Sequence, residues 1–462
     1  MHEAHVSLGV TLFFSAMLAA MIVALAFEEK IHAKKSVITG FFAIASLAAA
    51  EMLGILPVGP LVNVFGEELH IPVYVQGIDW AVIAIILGSS LFVDVTSKSG
   101  LFTWVAIKLT KRSGGDPLLL LIFYGILTVL FSALLNNVTA MIIIGSLSAV
   151  SLKKLGQRER LLGFLLLEGL LTNVGGLLTL ISSVPNIIVG QTAGISFVDF
   201  FIKAAPFVLV ASIATVFLGA RLFGIRRLDT EVQRQEAAEE VAGFDERDGI
   251  ESSGFFAFGS VMLVLFITAI ALSSVFDYGL GMGFVAMSFA IIMLLRFKST
   301  ADVFYRALDW DLLLFFAFLF VVINVMEHAQ VLAMIGHGLG HVIALNDVLD
   351  GAGTAATLIS SAAVSSVTDN IPLSAMLARI LHGMEPLGDG RLWWSVIFGA
   401  NLGGNLTPIG SASTVVAVTL MHKYGLSMSF MRFVRLAAGF AVLQIALAVL
   451  YVLFVVPLLP SV

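Results

Sequence analysis

The chain alternates long apolar runs with short polar stretches, and several runs exceed the roughly 18 residues expected of a membrane span. The pattern predicts helices over 6–27, 37–56 and 79–95. The run 118–151 is apolar but interrupted at Leu135-Asn136-Asn137. Its pieces, about 17 and 14 residues, are short against the roughly 20 that one crossing needs. Lys108, Lys111 and Arg112 precede it, and Lys153, Lys154, Arg158 and Arg160 follow it. A hairpin that enters, turns at the asparagines and leaves by the same face suits those basic ends; two crossing helices are the alternative. Such backbone is tolerated where protein or a water-filled cavity surrounds it. Spans over 161–189 and 204–223 complete a first set. The second set runs 255–272, 279–295 and 312–325, then a hairpin over 352–384, then 393–421 and 436–458. The expectation is an all-α polytopic membrane protein made of two inverted repeats, over 1–225 and 254–462, joined by a polar cytoplasmic connector over 226–253. Each repeat has five spans, one re-entrant hairpin and one broken helix. An odd number of crossings turns the second repeat upside down against the first.

Two stretches carry the repeat most clearly. The segment 172–190 reads TNVGGLLTLISSVPNIIVG, and 401–418 reads NLGGNLTPIGSASTVVAV. Aligned without gaps, Asn173 meets Asn401, Gly175 and Gly176 meet Gly403 and Gly404, Thr179 meets Thr407, and Ser183 meets Ser411, all 228 positions apart. Each follows an asparagine-bearing hairpin, in which Asn137 and Asn370 stand 233 positions apart. A duplicated signature in the same order fixes the architecture before any other feature does.

Composition narrows the class. Of 462 residues, 59% are hydrophobic and only 12% charged, against roughly 25% charged in soluble proteins. Cysteine is absent, which removes disulfides, thiolate metal sites and thioether haem; no cofactor is expected beyond sodium or a proton as coupling ion. The net charge of −6 is spread over short loops and marks no nucleic-acid partner. Lys30, Lys34 and Lys35, then Lys98 to Arg112, then Arg296 and Lys298, set the basic loops inside and both termini outside, in a bacterial inner (plasma) membrane. The stretch MHEAHVSLGVTLFF lacks the basic region of a signal peptide, so the first helix is expected to be retained.

The paired stretches suit ion chemistry. Gly175 and Gly176 lower helix stability by about 1 kcal/mol each, and Pro185 lacks an amide proton. Gly403, Gly404, Pro408 and Gly410 do the same in the second copy. A break in mid-membrane frees carbonyls for a hard cation and exposes positive helix N-termini to an anion. Asn136, Asn137, Thr139, Asn173, Thr179, Ser182, Ser183 and Asn186 supply neutral oxygens and amides in one half. Asn370, Pro372, Ser374, Asn401, Asn405, Thr407, Ser411 and Ser413 belong to the matching face of the other. The plainer reading of the glycines is close helix packing. Acids in apolar runs are functional candidates. Asp369 at the second tip and Glu168 on the helix before Gly175 are the proton-coupling candidates; Asp94 and Glu51 read as helix ends or structural groups. His328, His337 and His341 read as an exposed external loop rather than a metal site. No nucleophile–base pair suggests an enzyme.

LLNNVTAMII, TNVGGLLTLISSVPNIIVG, SSVTDNIPLSA and GANLGGNLTPIGSASTVVAV, with DWDLLLFFAFLFVV from Asp309 and SFMRFVRL from Ser429, resemble the arsenite/P-protein permease branch of the ion transporter superfamily, which includes citrate, dicarboxylate and sodium–proton carriers. The resemblance spans nearly the whole chain. It implies a secondary active carrier of a small ion or anion (an inorganic ion, an arsenite-like species or a small carboxylate), coupled to protons or sodium. It also implies a homodimer in lipid, with scaffold helices at the interface and a mobile transport domain. A sodium–proton antiporter and a channel of the same fold are the alternatives. Two departures matter: Asn136 stands where the family usually has Asp, and Ser183-Val184-Pro185 replaces Asp-Pro-Pro. Fewer fixed charges hold a cation less strongly and tolerate an anion better.

Overall fold

The computed structural model describes residues 6–57, 59, 61–62, 65–275, 281–384 and 390–460. The extreme chain ends and the start of the run from Gly279 lie outside the described residues. In the first half the helices are α1 (Leu8–Ala26), α2 (Lys35–Met52), α3 (Trp80–Ser97), α4 (Leu101–Arg112), α5 (Pro117–Leu134), α6 (Asn137–Lys154), α7 (Leu161–Gly175), α8 (Val184–Thr192) and α9 (Phe197–Leu222). The connector holds α10 (Glu231–Ala242). The second half has α11 (Ser253–Val275), α12 (Gly281–Leu294), α13 (Trp310–His328), α14 (Val331–Ile343), α15 (Ala352–Ser365), α16 (Asn370–Gly383), α17 (Arg391–Gly403), α18 (Ala412–Lys423) and α19 (Phe430–Phe454). The chain is an all-α polytopic membrane protein. Among the described residues nine helices are long and apolar enough to cross a membrane.

Polar residues start many of these helices where the apolar pattern begins. Asp79, Asp116, Asn136, Ser196 and Ser429 each accept a hydrogen bond from the first turn, filling an otherwise orphaned donor. Pro117 stands in the first turn of α5, where its missing amide proton is not needed.

Three readings need correction. The basic stretch through Lys108 and Arg112 is the helix α4, not a loop: Phe102, Ala106 and Thr110 are buried on one face, a 3.6-residue period that the lysines obscure. The histidine segment is also helical, with His337 and His341 exposed on α14. The polar stretch before Gly77 holds a two-residue antiparallel ladder, Leu61 opposite Leu69 and Val62 opposite Glu68.

The two halves pack by exchange. α3 lies against α12, and in the equivalent pair α2 lies against α13. α6 contacts α18 as α16 contacts α8; α7 contacts α18 as α17 contacts α8; α9 and α19 meet as the matching pair. Every one of these contacts survives when the repeats are swapped, as a two-fold relation requires. Small residues allow the closest approach: a Cβ on Gly88 of α3 would come within 2.5 Å of the α12 backbone at Ala286.

Candidate functional site

The duplicated stretches are helix breaks, and they fold alike. α7 ends at Gly175 and α8 begins at Val184; α17 ends at Gly403 and α18 begins at Ala412. Pro185 sits in the first turn of α8 and Pro408 lies within the second break. Glycine permits the close contacts around each break. A Cβ on Gly175 would stand 2.6 Å from Val129 Cα, one on Gly176 2.9 Å from Asn137 Oδ1, and one on Gly404 2.9 Å from Ser411 Cβ. Gly403 is pressed in the same way on the backbone of Ala362, and Gly410 on Gly404.

Each repeat's hairpin is tied to its own break by equivalent bonds. Thr179 Oγ1 donates to Ala133 O at 2.7 Å, and Thr407 Oγ1 donates to Ser366 O at 2.6 Å. Ser132 Oγ lies 2.6 Å from Thr172 O, and Ser365 Oγ lies 2.5 Å from Ala400 O. Across the two-fold relation, the repeats satisfy one another. Asn173 Nδ2 donates to Ser411 Oγ, and Ser183 Oγ donates to Asn401 Oδ1, each at 2.8 Å. Asn173 Nδ2 also reaches Asn405 Oδ1 at 2.8 Å, Ser413 Oγ donates to Asn173 Oδ1 at 3.0 Å, and Asn401 Nδ2 donates to Asn186 Oδ1 at 2.9 Å. Asn186 Nδ2 donates to Gly176 O and Thr179 O, as Ser182 Oγ does.

The structure thus brings Asn173, Asn405, Ser411 and Ser413 together at one crossed contact, and Asn401, Ser183 and Asn186 at the other; all but Ser411 are buried. Asn137 joins the edge of the first, 3.4 Å from Asn173 Oδ1. Other candidates stand apart. Asn136 is an exposed helix cap that holds the Thr139 amide. Ser374 Oγ bends back to Asn370 O at 2.6 Å, and Pro372 is buried beside it in the first turn of α16. Asp369 caps α16 and pairs with Lys35 at the start of α2. Asp94 is half-buried in α3, and Glu51 is exposed at the end of α2.

Sequence reasoning missed Ser132 and Ser365, though they share the 233-residue spacing of Asn137 and Asn370 and extending that alignment finds them. It also missed Gln444, a lone amide in an apolar run, which accepts from Asn405 Nδ2 at 2.7 Å and donates to Thr215 Oγ1 at 2.9 Å. Nothing local in the sequence couples Lys35 to Asp369. An open cavity of about 670 Å³, lined by Glu327, His337, His341 and Arg379, lies between α14 and α16, away from the breaks.

Chemically, the two contacts are a set of neutral donors and acceptors at two helix breaks. The carbonyls of Gly176 and Thr179 and the nearby hydroxyls are oxygen ligands of the kind sodium takes; the N-termini of α8 and α18 are ends that favour an anion.

Residues 22–399 match the family model described as "Citrate transporter". An uncharacterized transporter of Mycobacterium tuberculosis is 31% identical over 381 residues, covering 81% of this chain and 86% of the relative. The P protein of Homo sapiens is 25% identical over 490 residues, covering 89% of this chain and 58% of its own length. The crystal structure of the Alcanivorax borkumensis YdaH transporter, described as having an unusual topology, superposes with a TM-score of 0.51 at 14% identity, covering 92% of this chain and 100% of that one. At that identity the likeness is one of fold.

Proposed function

This chain belongs to the citrate transporter family, and we propose that it is a secondary active carrier of a small anion, a carboxylate by preference, driven by a proton or sodium gradient. The observation that carries this reading is the crossed pair of breaks, where Asn173 of one repeat bonds Ser411 of the other and Asn401 bonds Ser183. Each crossed contact sets a helix N-terminus beside neutral amides, with no carboxylate bonded to them among the described residues, which suits an anion better than a bare cation. These groups satisfy each other, and a bound ion would take over part of those bonds. Asn137 at the first tip, at the level of the α7–α8 break, supports hairpins that turn within the membrane; so do the 14-residue arms of the second hairpin. Asp369, paired with Lys35, is read as a gate contact between the second tip and α2. We place both termini outside and expect a homodimer in a bacterial inner membrane.

The test is uptake into proteoliposomes of citrate, shorter carboxylates and arsenite, under imposed proton or sodium gradients. Saturable uptake with counterflow is expected. Unsaturable flux without counterflow supports a channel, and cation exchange with no anion movement supports an antiporter.

A further inference from the structure

Glu168 is buried to 1% exposure in the middle of α7. Ser148 Oγ of α6 donates to its Oε1, while Oε2 has no hydrogen-bond partner among the described residues. No cation faces it. On the elements packed against α7, the charged groups sit towards helix ends: Asp116 at the start of α5, Lys153 and Lys154 on α6, Arg158, Glu159 and Arg160 in the turn before α7, His422 and Lys423 on α18, Arg221 on α9, Arg391 on α17. Asp199 and Lys203 of α9 pair with each other. The titratable neighbour is Tyr124 of α5, whose hydroxyl is buried 2.8 Å from Ser151 Oγ of α6 and 2.7 Å from Thr110 Oγ1 of α4. Ser151 and Ser148 are one helical turn apart on α6. Thr110, Tyr124 and Ser151 are hydrogen-bonded in file, and Ser148, bonded to Glu168, stands one turn further along α6 with no direct bond to Ser151 among the described residues. The file leads from the basic end of α4, beside Lys111 and Arg112, towards Glu168.

The file belongs to one repeat. Under the 228-residue offset Val396 stands at the place of Glu168, and under the 233-residue offset Leu381 stands at that of Ser148. An unpaired carboxylate in apolar surroundings is strongly disfavoured, so the neutral acid is the form this packing accepts.

We propose that Glu168 is a proton-binding site, loaded and emptied through the hydroxyls of Thr110, Tyr124, Ser151 and Ser148, one proton per chain. The step is simple: the carboxylate takes up one proton to give the acid, and releases it by the same route. The link to the breaks is short. α18 packs against α7 so closely that a Cβ on Gly169 would lie 2.8 Å from Ala417 Cβ, and the Ser411 cap of α18 is held by Asn173 at the end of α7. Ionising Glu168 would draw water into the seam of α6, α7 and α18 and loosen that grip. The role in coupling rests on the carrier reading; the site itself does not.

Two arms separate them. The first is infrared difference spectroscopy of the purified protein in lipid, titrated with pH. The expected result is a protonated-carboxyl band that disappears in Glu168→Gln and changes frequency in Ser148→Ala, with Tyr124→Phe slowing its hydrogen–deuterium exchange. A band unchanged in Glu168→Gln overturns the site. The second arm is proton-driven citrate uptake and citrate counterflow. Glu168→Gln should lose accumulation while keeping counterflow. Accumulation with an unaltered pH profile overturns the coupling role. If the wild type moves no citrate in either assay, the carrier reading falls for this substrate and the infrared arm still decides the site. Ser148→Ala provides the same spectroscopic answer should the glutamine variant not fold.

Discussion

Asn173 shows how much rests on single side chains here. Its amide group bonds Asn405, Ser411 and Ser413, all supplied by the other repeat. Asn173→Ala leaves the buried Asn405 Oδ1 without its donor and removes one bond each from Ser411 and Ser413, which still bond each other; the orphaned oxygen costs about 1–3 kcal/mol. The expected result is a clear fall in melting temperature in detergent, together with loss of uptake. Gly176→Leu and Gly404→Leu should abolish transport while expression persists, because a Cβ at either position already meets an atom at 2.9 Å. Normal transport by both variants would make these glycines packing residues and move the site elsewhere. The identity of these residues was legible in the sequence, because glycine, asparagine and serine recurred at one offset. Their partners were not. An offset says which residues are equivalent, whereas Asn173 bonds Ser411 rather than its own equivalent, and only the packing of α7 on α18 decides that.

Among elements, the second hairpin is held differently from the first. Asn137 docks its tip on Asn173, but the second tip reaches out through Asp369 to Lys35 on α2. Asp369→Asn and Lys35→Gln should each increase the labelling rate of a cysteine placed at Thr368, and exchanging the two charges should restore it. No change in any of the three would dismiss the contact as a gate. The connector offers a pH test. Glu246 accepts from Lys111 Nζ at 2.5 Å, and that hydrogen bond holds its carboxyl below the usual glutamate range. A lowered value means that the contact's stabilisation is fully present above the ordinary glutamate range and is lost progressively as pH falls from there through the lowered value. Proteolysis at Arg247 should therefore stay constant near neutral pH and climb as pH falls from the ordinary glutamate range towards the lowered value, and added salt should weaken the contact wherever Glu246 is charged. Long helices such as α1, α5 and α9 were plain from apolar runs alone. α4 and α14 were not, because their short amphipathic patterns carry Lys108, Lys111, His337 and His341, residue types that read as loop.

For the whole molecule, the charge pattern and the packing bear on one question by separate routes. Arg158, after the first hairpin, donates to Tyr424 O after α18, and Lys154 lies over the Phe244 ring of the connector. Single cysteines at Lys34 and Lys154 of this cysteine-free chain should be labelled from the same side; labelling from opposite sides defeats the inverted arrangement. The repeat plan was legible because duplication leaves equal spacings behind, while the two-fold exchange of neighbours, α2 on α13 and α3 on α12, was not, because distance along the chain carries no record of it. That exchange bears on how the protein is made. While the ribosome is still extending the second repeat, the first already lies in the bilayer, and its Asn173 and Ser183 await partners that have not yet been synthesised. The nascent half must hold its polar breaks in lipid, sheltered by the insertion machinery or by water, until Asn401 and Ser411 arrive. A ribosome stalled after the connector should thus leave a half-protein that is bound by chaperones or degraded, and supplying the second repeat as a separate chain should rescue it.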